Sequence, residues 1–260
     1  MNEDNRTHLL NSIKQGIRAD GRKPDEYRDI TIETGVVATA EGSAKVTIGD
    51  TVVIAGVKMA IETPYPDTPD QGNFMVNVEL LPMSNPEFES GPPSIDSIEL
   101  ARVTDRGIRE SKAVDIKKLC IEEGKHAWGI IVDICPINAS GNLFDACSIA
   151  ALAALKNAKL PKLEKVDDRL IINYKEKTDE SLPLEKLPIG ITICKIGDTL
   201  LVDPTSEEEK AIDTRLSIAS IDNGELCALQ KGGDGPLTIE EIEAMLDLGL
   251  RTAAEIRKKL

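Results

Sequence analysis

From Ile30 to Ile61 the chain carries short β-branched, apolar runs, DITIETG, VVATA, SAKVTIG and TVVIAGVKMAI, broken at Glu41-Gly42 and Gly49-Asp50. Runs of this length between turn residues predict an antiparallel meander. A Pro-rich loop, TPYPDTPDQG, separates the meander from a further strand, NFMVNVELLP. The loop NPEFESGPPS then leads into a helical pattern from Ile95 to about Ser111. KHAWGIIVDICPI is a near-continuous apolar strand, and an Ala-rich helix, LFDACSIAALAALKN, begins directly after the turn Asn138-Ala139-Ser140-Gly141-Asn142. Ahead of the meander, Leu9, Leu10, Ile13 and Ile17 recur at helical spacing over residues 5–18, and a turn follows at Asp20-Gly21.

The later part repeats the theme more briefly. PIGITICKIG, DTLLVDP, RLSIASID and ELCALQKG read as strands, and a long helix starts at Thr238. Strands first and a helix after, twice over, predict an α+β fold of two related halves. The expected organisation is an N-terminal helix and turn segment over residues 1–29, a first half over 30–160, a linker over 161–188 and a second half over 189–260. The linker is charged and Pro-punctuated and holds one short strand. In the last helix Ile239, Ile242, Leu246, Gly249, Ala253, Ile256 and Leu260 form a stripe that packs on the chain's own sheet or serves as a partner seam.

Composition narrows the function classes. No apolar run is long enough to span a bilayer and the N-terminus is polar, so a soluble, cytoplasmic protein without membrane contact is expected. Cys120, Cys135, Cys147, Cys194 and Cys227 lack any CxxC pairing, and four of them lie in apolar surroundings, as buried reduced thiols do. With only His8 and His126, a His-based metal site is not expected. The net charge of −14 argues against an unaided nucleic-acid binder, and aromatics at 3% leave few stacking platforms. Any RNA contact has to come from a local basic cluster, with help from a partner.

Three places carry candidate chemistry. Arg102, Arg106 and Arg109 fall within an arc of roughly 60° on one helix face. They form either a phosphate-binding row or a solvated face paired with Asp105, Glu110 or Glu99. In VDPTSEEEKAID, Asp203, Glu207, Glu208, Glu209 and Asp213 either bind Mg²⁺ or act as acid and base, or make a solvated loop. The turn at Gly141 has the shape of an anion cradle, a glycine turn entering a helix. Yet it contains no Lys or Arg, and Asn142 with Asp145 reads as a capping-box variant that ties up the same N–H groups. Asp145 also complements the helix dipole and opposes an incoming phosphate.

The stretch IRADGRKPDEYRDI resembles the Arg-x-Asp-Gly-Arg opening of the RNase PH family. PDQGNFMVNVELLPMSNPEFESGPPSIDSIELARVTDRGIRESKAVD and ASGNLFDACSIAALAAL resemble one branch of it, the non-catalytic ring subunits of archaeal exosomes. The resemblance covers nearly the whole chain. It implies the RNase PH-type fold, two βαβα-like halves similar to ribosomal-protein domain 2, assembled into a hexameric ring. In that ring non-catalytic subunits alternate with catalytic RNase PH-type partners as three heterodimers, with RNA-binding cap subunits above. Active members degrade single-stranded RNA from its 3′ end by phosphorolysis, using inorganic phosphate and releasing nucleoside diphosphates. Their phosphate sits at a Gly-Ser-Arg turn supported by two loop aspartates.

Here the corresponding turn reads Gly141-Asn142-Leu143-Phe144, without the arginine. Asp213 is the counterpart of the second aspartate, and the first falls among Glu207, Glu208 and Glu209. The resemblance thus implies a degenerate phosphate site at Gly141–Asp145, no catalysis by this chain alone and no cofactor or metal of its own. Phosphate would be used at the partner's site. RNA contact at i and i+4 on the matching helix carries over to Arg102 and Arg106, with Arg109 on the same face. The alternatives are a stand-alone phosphorolytic exoribonuclease using Asp203, Asp213 and a nearby Arg, and a ring scaffold with no RNA contact.

Overall fold

The computed structural model describes residues 3–166 and 169–260. The helix α1 (Glu3–Lys14) comes first. It ends before residue 18, and Ile17, expected in its apolar stripe, is 56% exposed. The meander follows as β1 (Ile30–Thr34), β2 (Gly42–Ile48) and β3 (Thr51–Glu62). Gly49 opens the two-residue turn between β2 and β3 at φ +54°, a left-handed conformation that glycine adopts without strain. After β4 (Asn73–Val78) come α2 (Ile95–Glu110), β5 (Cys120–Glu122), β6 (His126–Asn138) and α3 (Leu143–Asn157). The first sheet has the order β1-β2-β3-β6-β4, with β4 parallel to β6 and β5 paired outside the path. Val46, Ile48, Val53, Ala55 and Val57 are fully buried, so alternate residues of β2 and β3 face the core.

The expected linker with one short strand is instead a two-stranded sheet, β7 (Lys159–Val166) with β8 (Arg169–Ser181). Its strands lack the apolar alternation that marks a half-buried strand, and the hairpin is held partly by ion pairs such as Lys162–Glu176 at 2.6 Å. The register shifts on both sides of Pro161, which has no N–H to donate.

A second sheet follows in the order β10-β9-β11-β12. Its members are β9 (Ile189–Ile196), β10 (Thr199–Val202), β11 (Thr214–Ser220) and β12 (Leu226–Gly232). The short α4 (Ser206–Glu209) lies between β10 and β11, and α5 (Ile239–Arg257) closes the fold behind a Thr238–Glu241 capping box. One face of β9 meets α3: the N–H groups of Gly190 and Thr192 donate to Ser148 and Asp145. The other face meets α5, where Gly249 lies against Ile193 and Ile218. The layers therefore run sheet, helices, sheet, helix.

The last helix packs on the chain's own sheet through Met245, Gly249, Thr252, Ala253 and Ile256, while Ile239 is 72% exposed. Core residues of both halves join one apolar cluster around α3, and a smaller cluster of Ile13, Cys194, Ile196, Leu201 and Ala211 lies under α1. All five cysteines are free, but only Cys147 and Cys194 are fully buried. Burial pushes the Cys147 thiol up to about 12.

Candidate functional site

The turn after β6 is pressed against the second half. At Gly141, φ is +87°, and a Cβ there would stand 2.4 Å from the Pro204 carbonyl oxygen. Only glycine permits this approach. Asn142 also adopts the left-handed conformation, at φ +59°, which turns its side chain away from the helix end. The expected capping box is therefore absent. Asn142 Nδ2 donates instead to Asp203 Oδ1 at 2.8 Å. Asp145 points into the core, where it accepts from the Tyr27 hydroxyl and from the Thr192 N–H. The backbone N–H of Asn142 is nevertheless satisfied: it donates to Glu209 Oε1 at 2.8 Å. A carboxylate from α4 thus occupies the anion seat that the turn offers.

The Arg-x-Asp-Gly-Arg segment supplies the opposite charge. Arg18 holds Glu208 with both ends of its fork, Nε at 2.8 Å and Nη2 at 2.6 Å, and both side chains are 1% exposed. Arg28 grips Asp203 in the same way, through Nε at 2.8 Å and Nη2 at 2.7 Å, and its backbone N–H donates to Asp203 at 2.9 Å. Arg28 Nη1 also donates to the Ser140 carbonyl at 2.8 Å, tying the fork to the turn itself. Arg22 adds a further bond to Asp203 at 2.7 Å. Asp203 is fully buried and accepts from two arginines and one asparagine.

The ionisations follow from these surroundings. Burial alone would raise the Asp203 carboxyl, but the hydrogen bonds and charge of Arg28 hold it below the ordinary carboxylate range. Burial pushes Asp145 up to about 7, against the opposing bonds from Tyr27 and Thr192. Glu209 is raised by burial of its carboxyl, with Asn142 N–H and Arg28 drawing it back.

The acidic loop is therefore neither a metal site nor, for most of its members, a solvated one. Among the described residues no His/Cys/Asp/Glu group could hold a metal ion. Glu207 and Glu209 are exposed residues, Glu207 at 70% of its side chain, whereas Asp203 and Glu208 are buried. Asp213 lies elsewhere: it pairs with Arg6 at 2.8 Å and accepts from the Gly197 N–H at 2.7 Å. Among the described residues it shares no side-chain partner with Asp203, which is held by Arg22, Arg28 and Asn142.

On α2 the three arginines have different surroundings. Arg102 is exposed and makes no ion pair among the described residues, and it borders an open groove lined by Phe88, Pro92 and Glu79. Arg106 is exposed and donates to Gln230 on β12 at 2.8 Å. Arg109 pairs with Asp105 at 2.8 Å, donates to the Phe74 carbonyl at 2.7 Å and lies 5.8 Å from the Phe74 ring. Glu99, an expected partner of this row, pairs instead with Arg215 at 2.6 Å. Arg215 covers the Phe144 ring at 4.5 Å. Sequence reasoning did not foresee the roles of Arg18, Arg22, Arg28, Tyr27 and Arg215. The Arg-x-Asp-Gly-Arg motif signalled the first two, but nothing local to it names Asp203 and Glu208 as acceptors.

The sequence and the fold have counterparts in known proteins. Residues 26–161 match the model of domain 1 of the 3′ exoribonuclease family RNase PH, and residues 186–252 match domain 2. The chain belongs to the RNase PH family. Within the family, Exosome complex component Rrp42 of Methanopyrus kandleri is 45% identical over 97% of this chain and 94% of its own length. The protein of the same name from Thermococcus gammatolerans is 46% identical over 98% of this chain and 93% of its own. Among solved structures, a chain of the Archaeoglobus fulgidus exosome with RNA bound to the active site superposes with a TM-score of 0.91. It shares 44% identity and covers 99% of this chain and 98% of its own. A chain of an archaeal exosome core has a TM-score of 0.85 at 41% identity, covering 99% of this chain and 96% of its own.

Proposed function

We propose that this chain is a non-catalytic subunit of an archaeal RNA-degrading exosome, a phosphorolytic complex whose chemistry takes place on a catalytic RNase PH-type partner. The observation that carries this reading is the Glu209 carboxylate on the Asn142 N–H, at a turn that contains no arginine. An anion seat already holding a carboxylate, with Asp203 locked by Arg22 and Arg28, leaves no place for the attacking phosphate. Identity above 40% over nearly the full length to exosome components supports the assembly.

In this reading the chain alternates with its partner in a hexameric ring of three heterodimers beneath RNA-binding cap subunits. Inorganic phosphate is consumed at the partner's site, and this subunit needs no cofactor. Arg102 and Arg106, exposed on one face of α2, hold backbone phosphates of single-stranded RNA as its 3′ end passes to that site. Arg109 contributes less, since Asp105 neutralises it locally. The fork of a guanidinium suits phosphate oxygens, and the contacts are independent of base sequence.

The test is reconstitution with the catalytic partner. The chain alone should release no nucleoside diphosphate from oligoadenylate and phosphate, whereas the mixed ring should. Replacing Arg102 and Arg106 with Glu should weaken RNA binding by the ring at least tenfold. Unchanged affinity and degradation rate would show that this subunit is a scaffold only, and phosphorolysis by the chain alone would overturn the reading.

A further inference from the structure

Of the three arginines on α2, Arg102 has no ion pair or side-chain hydrogen bond among the described residues, although two acids flank it on the helix. Glu99 stands three residues before it and Asp105 three residues after, each at the spacing where helical side chains meet. Either acid at that spacing could close on Arg102 and neutralise it. Neither does. Asp105 is drawn along the helix to Arg109 at 2.8 Å, and Arg109 is fixed in turn by the Phe74 carbonyl at 2.7 Å. Glu99 is drawn off the helix, to Arg215 on β11 at 2.6 Å.

Arg215 is closely fitted where it stands. Its guanidinium lies 4.5 Å from the Phe144 ring at the start of α3. Gly232 faces it across the β11–β12 ladder, and a Cβ there would stand 2.3 Å from Arg215 Nη1, so the missing side chain is what leaves room for the head. The Arg215 Nε is buried without a hydrogen-bond partner among the described residues. A buried donor left unpaired costs stability, and here it accompanies the reach towards Glu99. The groove that Arg102 borders is also lined by Glu79, Glu87, Glu89, Asp96 and Asp133, so its surroundings are already acidic. Glu110, exposed at the end of the row, stands one turn beyond Arg106. In such a field one more unpaired carboxylate, a helical turn from Arg102, weighs directly on whether that arginine is free for another anion.

We propose that Arg215 is a positioning residue for RNA binding: by holding Glu99 it keeps Arg102 unpaired and available to a backbone phosphate. The inference rests on the reading of the α2 arginines as an RNA contact. Arg215 does not touch the RNA; it acts through Glu99.

The experiment measures oligoadenylate affinity of the reconstituted ring at low salt. Arg215→Met keeps an apolar stem against Phe144 and releases Glu99, and it should weaken binding about threefold. Adding Glu99→Gln to that variant should restore wild-type affinity, because no carboxylate is left to close on Arg102. A purely structural arginine would not be rescued in this way. Glu99→Gln alone should not weaken binding, and this variant decides the matter even where Arg215→Met fails to assemble. In a ring carrying Arg102→Gln, Arg215→Met should cause no further loss, which separates an action through Arg102 from a general change in charge. Wild-type affinity in Arg215→Met would overturn the proposal. So would a loss that Glu99→Gln does not restore, a loss in Glu99→Gln alone, or a further loss in the ring lacking Arg102. If Arg102→Gln with Arg106→Gln binds RNA like the wild type, the arginine reading fails and this proposal fails with it. If that ring is weakened and Arg215→Met is not, the arginine reading stands and this proposal alone is wrong.

Discussion

Asp145 and Glu209 are both acids near the same helix start, and they do opposite things. Asp145 ionises at about 7 in the folded chain, against 3.8 in an unfolded one, because its carboxyl is buried. Between those values the folded chain holds a proton that the unfolded chain has released. Stability therefore declines as pH rises from about 4 to about 7 on account of this group. Asp145→Asn should remove that part of the decline, measured as urea midpoints across the range. A variant with the wild-type pH profile would refute the assignment. Asp203 has the reverse sign: its depressed pKa contributes stability above the ordinary carboxylate range, and this is lost as pH falls through the folded value. Glu209 acts as the occupant of the anion seat. Glu209→Ala frees the Asn142 N–H beside Arg28, so phosphate should raise the melting temperature of the variant and not of the wild type.

In the proposed function, the turn entering α3 and the arginine face of α2 are the elements that matter. Restoring an arginine to the turn, as in Phe144→Arg, should not produce phosphorolysis by the chain alone. Glu209 still occupies the N–H, Asp213 is engaged with Arg6, and the Phe144 ring is itself covered by Arg215. Nucleoside diphosphate released by that single variant would contradict this. The proposed function has the α2 arginines on backbone phosphates, so RNA affinity of the assembled ring should fall steeply between about 50 and 200 mM salt. A flat response would exclude phosphate contacts. The helices and strands that carry these groups were readable from hydrophobic spacing, because β6 and α3 bury long apolar runs and α2 buries Leu100 and Ile108 at helical spacing. The β7–β8 hairpin was not, since its strands are held partly by cross-strand charges.

Across the chain, the N-terminal segment is a strap that binds both halves together. Arg18 reaches Glu208 across 190 residues, and Arg28 joins the Gly141 turn to Asp203. Removing one partner of a buried pair leaves the other charge without compensation, so Arg18→Ala should destabilise the fold by about 3–5 kcal/mol. Replacing both Arg18 and Glu208 with apolar residues of similar volume should recover much of that loss in chemical denaturation. No recovery in the double variant would mean that the strap, not the stranded charge, is what Arg18 provides.

Order along the chain was enough to establish most of the elements, the family resemblance, the absence of an arginine at the turn and the arc of arginines on α2. Those features depend on spacings of a few residues, where backbone geometry dictates which side chains share a face. Which acid fills the anion seat could not be found that way. Asn142 and Asp145 stand at capping-box spacing, yet a left-handed Asn142 turned both side chains elsewhere, and Glu209 came in from 67 residues away. Partnerships between remote segments, and the burial that sets Asp145 and Asp203 on opposite sides of their ordinary range, exist only once the two halves are packed together.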